Sequence, residues 1–183
     1  MEKVELFDQI PRLSDEEIAR KYKDWALFGK TPDRERNIVT SLDLVSERQE
    51  KFNLKLKKKY DEIEEKEVKY EKIMCDDADY VFVAYGSSSR ICQKSIQLAR
   101  KQGIKVGIFR PLTLYPFPFK EIKELSKKLK GILSVEMSLG QMVEDVRAAV
   151  EYNIPVEHFG RVGGMIPSPE EIVEALKSKI IGG

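Results

Sequence analysis

The residue of this chain with the most chemistry to offer is a glutamate at the end of an apolar run. Glu136 closes the segment ILSVE, and the turn MSLGQ follows it, with Gly140 and Gln141 at the start of a helix. A carboxylate there is costly to bury unless it is paired or protonated. It can be read as a general base or as a structural group paired with Arg110, Arg147 or Arg161. The second reading is favoured, because no nucleophile or metal ligand accompanies it. His158 is the only histidine, so a Ser-His or multi-His site would need residues from a partner.

Three other turns carry polar or special residues. In GSSSR, Gly86 follows a strand and Ser87 and Ser88 stand at a helix mouth, where backbone amides and the helix dipole can receive an anion. The segment lacks the lysine and glycine spacing of a P-loop and the GxGxxG of a dinucleotide fold, so N-capping by Ser87 or Ser88 is the preferred reading. In FRPLTLYPFPF, Arg110 sits at a strand end and three prolines stiffen the loop. Its rings Tyr115, Phe117 and Phe119 suit either interface anchors or closure of the sheet edge, with nothing in the sequence to choose between them. In GRVGGMIPSPEE, Arg161 precedes Gly163 and Gly164, which permit positive φ or close approach of another chain. Cys75 and Cys92 lack CxxC spacing and read as buried thiols in a reducing compartment.

These turns need a sheet to hold them. Short apolar strands are expected at Tyr70–Met74, Tyr80–Tyr85, Val106 onward, Ile132 onward and Pro155 onward. Helices are expected over Ser89–Gln102, Phe119–Leu129, Gly140–Glu151 and Pro169–Ile180, the last with Ser168 as N-cap, Pro169 at N1 and Glu171 at N3. Strands alternating with helices predict a three-layer α/β fold with a mostly parallel sheet. The turn DDAD is too short for a crossover, so the first two strands are expected to pair antiparallel. Ahead of this domain lies an arm, 1–67. It holds a short helix with the capping box Ser14 and Glu17, then Trp25 with Leu27 and Phe28 as an expected surface anchor. A long charged helix follows from Ser46, with Gln49 at its capping-box position, to about Glu67. Its stripe of Phe52, Leu56, Tyr60 and Ile63 is narrow, and its acids offset its bases, which favours a solvated helix over one that binds nucleic acid or membrane.

The whole chain agrees with that neutrality. Its 32 basic and 31 acidic residues leave a formal charge of +1, with no global bias toward nucleic acid or anionic lipid. No apolar run approaches the roughly 20 residues of a membrane span, and the N-terminus lacks a signal-peptide core. A cytoplasmic protein is expected.

The segments NIVTSL, NLKLKKKYDEIEE, VAYGSSSRI, GIFRPLTLYPFP, VEMSLGQMVEDVR and FGRVGGMIPSPEE, taken together, resemble the C-terminal half of the α subunit of thiamine-dependent 2-oxoacid:ferredoxin oxidoreductases, in particular the 2-ketoisovalerate type. The resemblance runs from about Asn37 to Lys177. It implies a transketolase C-terminal-like domain over 68–183: five strands in the order 1-3-2-4-5, the first antiparallel, with a switch point between the strands that end at Tyr85 and Met137. It also implies a reaction, oxidative decarboxylation of a 2-oxoacid to an acyl-CoA with electrons passed to ferredoxin. Thiamine diphosphate, Mg and iron-sulfur clusters are implied on partner domains or subunits, none on this chain alone. No catalytic residue carries over; the turns around Gly86, Arg110, Glu136, Gln141, Arg161 and Gly163 are expected to serve assembly. The family often has Asn where Ser138 stands, which weakens the expectation of a shared polar contact there. The chain starts where the usual N-terminal domain would end, so a fragment or a split-gene product is expected. Partners would be the other subunits, with ferredoxin and CoA met through the complex; association with a second copy stays open. The rival reading is a stand-alone anion- or small-ligand-binding module that uses the helix mouths at Ser87–Ser89 and Gly140–Gln141.

Overall fold

The computed structural model describes residues 11–182 apart from 23, 24, 26–28, 31, 34 and 39. Leu27 and Phe28, expected to anchor the arm, lie outside the described residues. Two compact units partition the chain, Met1–Leu54 and Lys55–Gly183.

In the first unit, α1 (Asp15–Lys21) starts at the expected capping box: Glu17 N donates to Ser14 Oγ at 3.2 Å and Ser14 N donates to the Glu17 carboxylate at 2.9 Å. Trp25 is 66% exposed and meets Tyr22 edge to face at 5.2 Å. The long helix α2 (Ser46–Lys66) begins in this unit and has no buried residue, as a solvated helix should. Its entry differs from the expected capping box. Gln49 accepts from Asp43 N at 2.8 Å rather than reaching back to Ser46, and Asp43 accepts from Val45 N at 2.9 Å and from Arg48 Nε at 2.7 Å. An aspartate three residues upstream of the helix offers an anion to both partners at once, and the shorter Ser46–Gln49 exchange is displaced.

The second unit holds β1 (Tyr70–Ile73), β2 (Tyr80–Val83), α3 (Gly86–Lys101), β3 (Val106–Pro111), α4 (Phe119–Ser126), β4 (Gly131–Glu136), α5 (Met142–Ala149), β5 (Val156–Gly160) and α6 (Pro169–Leu176), which runs on as a π-helical turn, Lys177–Ile181. The sheet order is β1-β3-β2-β4-β5, with β2 to β5 parallel. β1 is antiparallel, but its partner is β3, with Tyr70 opposite Pro111 and Ile73 opposite Ile108. The expected β1–β2 hairpin is therefore wrong. Met74 at φ 54° and the DDAD segment redirect the chain past β3 instead of folding β1 back on β2. Arg100 fixes that redirection, because its guanidinium donates to Asp77 at 2.7 Å, to Met74 O at 2.9 Å and to Val106 O at 2.9 Å.

Period-two alternation sorts the strands between two cores. Val81, Val83, Phe109 and Ile132 face α4 and α5, where Ile122, Leu125, Met142 and Val146 cover them. Phe82, Ala84, Ile108 and Leu133 face α3 and α6, against Cys92, Ile96, Ile172 and Leu176. Phe82 and Leu133 are wholly buried, and each such side chain contributes about 1.5–3 kcal/mol of burial free energy. Three layers result, with α3, α4 and α5 as crossover helices and α6 closing the chain, as the alternation of strands and helices predicts.

Candidate functional site: the strand-end turns

Because β2 to β5 are parallel, the turns after all four open on one edge of the sheet, and β2 and β4 meet at the switch point where strand order reverses. Glu136 ends β4 there with 3% of its surface exposed. One carboxylate oxygen accepts from Ser134 Oγ at 3.0 Å and Val143 N at 2.9 Å. The other accepts from Ser138 Oγ, Gln141 N and Met142 N, each at 3.0 Å. Burial alone would push this carboxyl up, yet the Gln141 and Met142 amides and the two serine hydroxyls outweigh it and hold it below its ordinary value. Glu136 is thus an internal anion seated on the N-terminus of α5.

None of the expected arginine partners reaches it. Arg110 pairs with Glu71 at 3.0 Å, Arg147 with Glu144 at 2.7 Å, and Arg161 with Glu171. Backbone amides neutralise Glu136, which also explains why α5 starts at Met142 rather than Gly140: the amides of Gln141 to Val143 turn toward the carboxylate first. Gly140, at φ 110°, makes that turn. Ser138 keeps a polar contact, since it donates to Glu136 and accepts from Gly140 N at 3.2 Å. Serines two residues before and two after a strand-end glutamate were the available sequence signal.

Glu136, Gln141 and Arg161 come together, the last through Arg161 N donating to Glu136 O at 3.3 Å. His158 lies beside them, with Nε2 4.0 Å from the carboxylate. Gly163 and Gly164 both have positive φ, 65° and 81°, in the exposed loop after β5. Arg110 sits apart, on the β1–β3 pair. Gly86, at φ 55°, begins α3, and Tyr85 occupies the cap position without a side-chain bond. The expected capping by Ser87 or Ser88 is not formed: the helix starts three residues early, so these serines fall inside its first turn, Ser87 exposed and Ser88 buried.

The β3–α4 loop divides its rings. Phe117 is 7% exposed and belongs to the core under α4, so it is no interface anchor; Tyr115 is 60% exposed. Tyr115 meets Tyr60 edge to face at 6.3 Å. Around it opens a cleft of about 530 Å³ lined by residues of α2, of this loop, of the first turn of α4, and by Asp145 of α5.

The strand-end loops expose apolar side chains together: Leu112 and Leu114 after β3, Met137 and Leu139 after β4, Val162, Met165 and Ile166 after β5. Leu139 is 86% exposed. Among the described residues, no group of three or more His, Cys, Asp or Glu could hold a metal ion, and no helix is long and apolar enough to cross a membrane. Cys75 and Cys92 belong to the two different cores, one on each face of the sheet, so they cannot share an iron-sulfur cluster.

A three-layer domain with this strand order and this switch point is a transketolase C-terminal-like domain. The chain belongs to the family of the pyruvate:ferredoxin oxidoreductase core domain II, which matches residues 78–172. It is 43% identical over 153 residues to the ketoisovalerate oxidoreductase subunit VorB of Methanothermobacter thermautotrophicus, an alignment covering 84% of this chain and 43% of that subunit. It is 36% identical over 118 residues to the 2-oxoglutarate synthase subunit KorA of Methanothermobacter marburgensis, covering 64% of this chain and 30% of that one. The 2-oxoglutarate:ferredoxin oxidoreductase from Magnetococcus marinus superimposes with a TM-score of 0.65 at 20% identity, over 82% of this chain and 27% of that one. A split-gene transketolase, an inactive β4 tetramer, gives 0.52 at 14% identity over 62% and 41%. The chain thus spans less than half the length of these relatives.

Proposed function

We propose that this chain is a noncatalytic assembly domain of a 2-oxoacid:ferredoxin oxidoreductase, cytoplasmic, in which partner subunits carry out oxidative decarboxylation to an acyl-CoA and deliver electrons to ferredoxin. The observation that carries the reading is the set of apolar side chains exposed on the strand-end edge, a surface of the kind that subunit contacts cover. Residues 68–183 form the docking domain, and residues 1–67 act as an arm in which Trp25 is a further contact. Gly86, Ser87, Ser88, Gln141, Gly163 and Gly164 shape the turns of that edge, Arg110 and Arg161 brace them through Glu71 and Glu171, and Tyr115 presents an exposed ring.

The buried carboxylate at the switch point, Glu136, does not suit the activation of thiamine diphosphate. Activation of the cofactor requires a carboxylate free to accept a proton, and Glu136 has both oxygens engaged by five donors. In this reading thiamine diphosphate, Mg and iron-sulfur clusters belong to partner domains or subunits.

Affinity capture of the tagged chain from its native extract tests the assignment. Retention of a thiamine-binding and an iron-sulfur subunit is the expected result. Oxidation of ketoisovalerate by the pure chain with thiamine diphosphate and CoA would overturn it. The rival, an anion-binding module, finds the α5 mouth already filled by Glu136. A nucleotide and acyl-CoA panel followed by melting temperature decides it, since a ligand at 100 times its Kd stabilises by about 2.7 kcal/mol.

A further inference from the structure

The cleft around Tyr115 has a composition unlike the chain as a whole. Its lining carries the carboxylates Asp61, Glu64, Glu65, Glu121 and Asp145 against a single ammonium, Lys120, in a protein whose formal charge is +1. Lys57 pairs with Asp61, but among the described residues Glu64, Glu65, Glu121 and Asp145 have no cation within ion-pair distance. Asp145 is held above its ordinary value by partial burial and then by Glu136 and Glu144, which lie outside the lining. The Tyr115 hydroxyl is held up by desolvation and then by Glu64. Between the carboxylates the walls are apolar and aromatic: Val68, Leu114, Tyr115, Pro116 and Phe119, with Tyr115 and Phe119 60% and 43% exposed.

We infer that this cleft receives arginine side chains from a basic peptide segment of a partner subunit. The inference rests on the assembly reading and names the chemistry of one contact within it. A bare metal ion has no use for the aromatic walls, and about 530 Å³ is far larger than such an ion needs. An arginine matches both features of the lining: its planar guanidinium stacks on a ring face while its edge donates to carboxylates, and its methylene stem lies against Leu114 and Pro116. Lysine would satisfy the charge but not the planar stacking.

A fluorescein-labelled pentapeptide containing two arginines, titrated into the full chain by anisotropy, tests this against its citrulline counterpart, which has nearly the same shape without the charge. Saturable binding of the arginine peptide is expected, weaker by about tenfold at high salt because exposed charges are screened over a Debye length of about 10 Å at 0.1 M. The citrulline peptide should not bind. The double variant Glu64→Gln with Glu121→Gln should weaken binding by about fivefold or more, with an unchanged melting temperature. Asp145→Asn, a single exposed change, gives a second reading should the double variant unfold. No binding to the wild-type chain, equal binding of the citrulline peptide, or undiminished binding to the charge variants would overturn the inference. Spermine that competes as well as the arginine peptide would also overturn it, since charge alone would then suffice. If the double variant still captures every subunit that the wild type does, the cleft assignment fails while the assembly reading stands. If the wild type captures none, the assembly reading fails.

Discussion

The Val143 amide donates to the Glu136 carboxylate at 2.9 Å, which joins the end of β4 to the first turn of α5 through a charge-to-dipole contact. Three amides and two hydroxyls converge on that one side chain, so the link between sheet and helix depends on its ionisation.

Glu136→Gln replaces an acceptor-only group by one whose NH2 must face backbone donors. A loss of about 2–3 kcal/mol is expected, read as a lower urea midpoint with unchanged m-value.

The same residue sets a pH dependence. Its folded carboxyl lies below the ordinary 4.5, so its stabilisation is complete above the unfolded-state value and is lost as pH falls through the folded one. Urea midpoints taken from neutral pH into the acid range should therefore fall more steeply in the wild type than in Glu136→Gln. Parallel curves would contradict the assigned ionisation.

Ser168 accepts from Glu171 N at 3.2 Å, and Glu171 accepts in return from Ser168 N at 2.7 Å. Ser168→Ala should cost about 1 kcal/mol in denaturant unfolding, because α6 covers a core face and its cap cannot fray at leisure.

Gly107→Ala would place a Cβ 2.5 Å from the backbone oxygen of Met74, where the chain passes over β3. A destabilisation of about 1–3 kcal/mol is expected in the same assay. Gly160→Ala should be comparable, since its Cβ would meet the His158 ring at 2.7 Å and the Ser138 carbonyl.

Burial pushes the thiols of Cys75 and Cys92 up, Cys92 most of all. Neither should react with a disulfide reagent at mildly alkaline pH in the native chain, and both should react once guanidinium unfolds it. Rapid labelling of Cys92 in the folded state would mean that the α3–α6 core opens.

What could be read in advance was whatever is written locally. Ser168 with Glu171, and Ser14 with Glu17, announce their helices within four residues, and the alternation of Val81, Phe82 and Val83 announces a strand buried on both faces. The partner of β1 was not legible in the short DDAD turn, because Tyr70 stands opposite Pro111 rather than a sequence neighbour; the strand order came only through family resemblance. Nor was the environment of Glu136. Backbone amides leave no mark in residue type, so the arginines stood out and the true donors did not. Tyr115 and Phe117 look alike in sequence, and only the packing of α4 against the sheet puts one in solvent and the other in the core.

The pairing of β1 with β3 also bears on synthesis. Tyr70 leaves the ribosome 41 residues before Pro111, its partner across the ladder, a delay on the order of seconds at ordinary elongation rates. Throughout that interval β1 is a nascent strand without its ladder partner, and its adjacent charges Glu71 and Lys72 discourage pairing with another chain in the meantime.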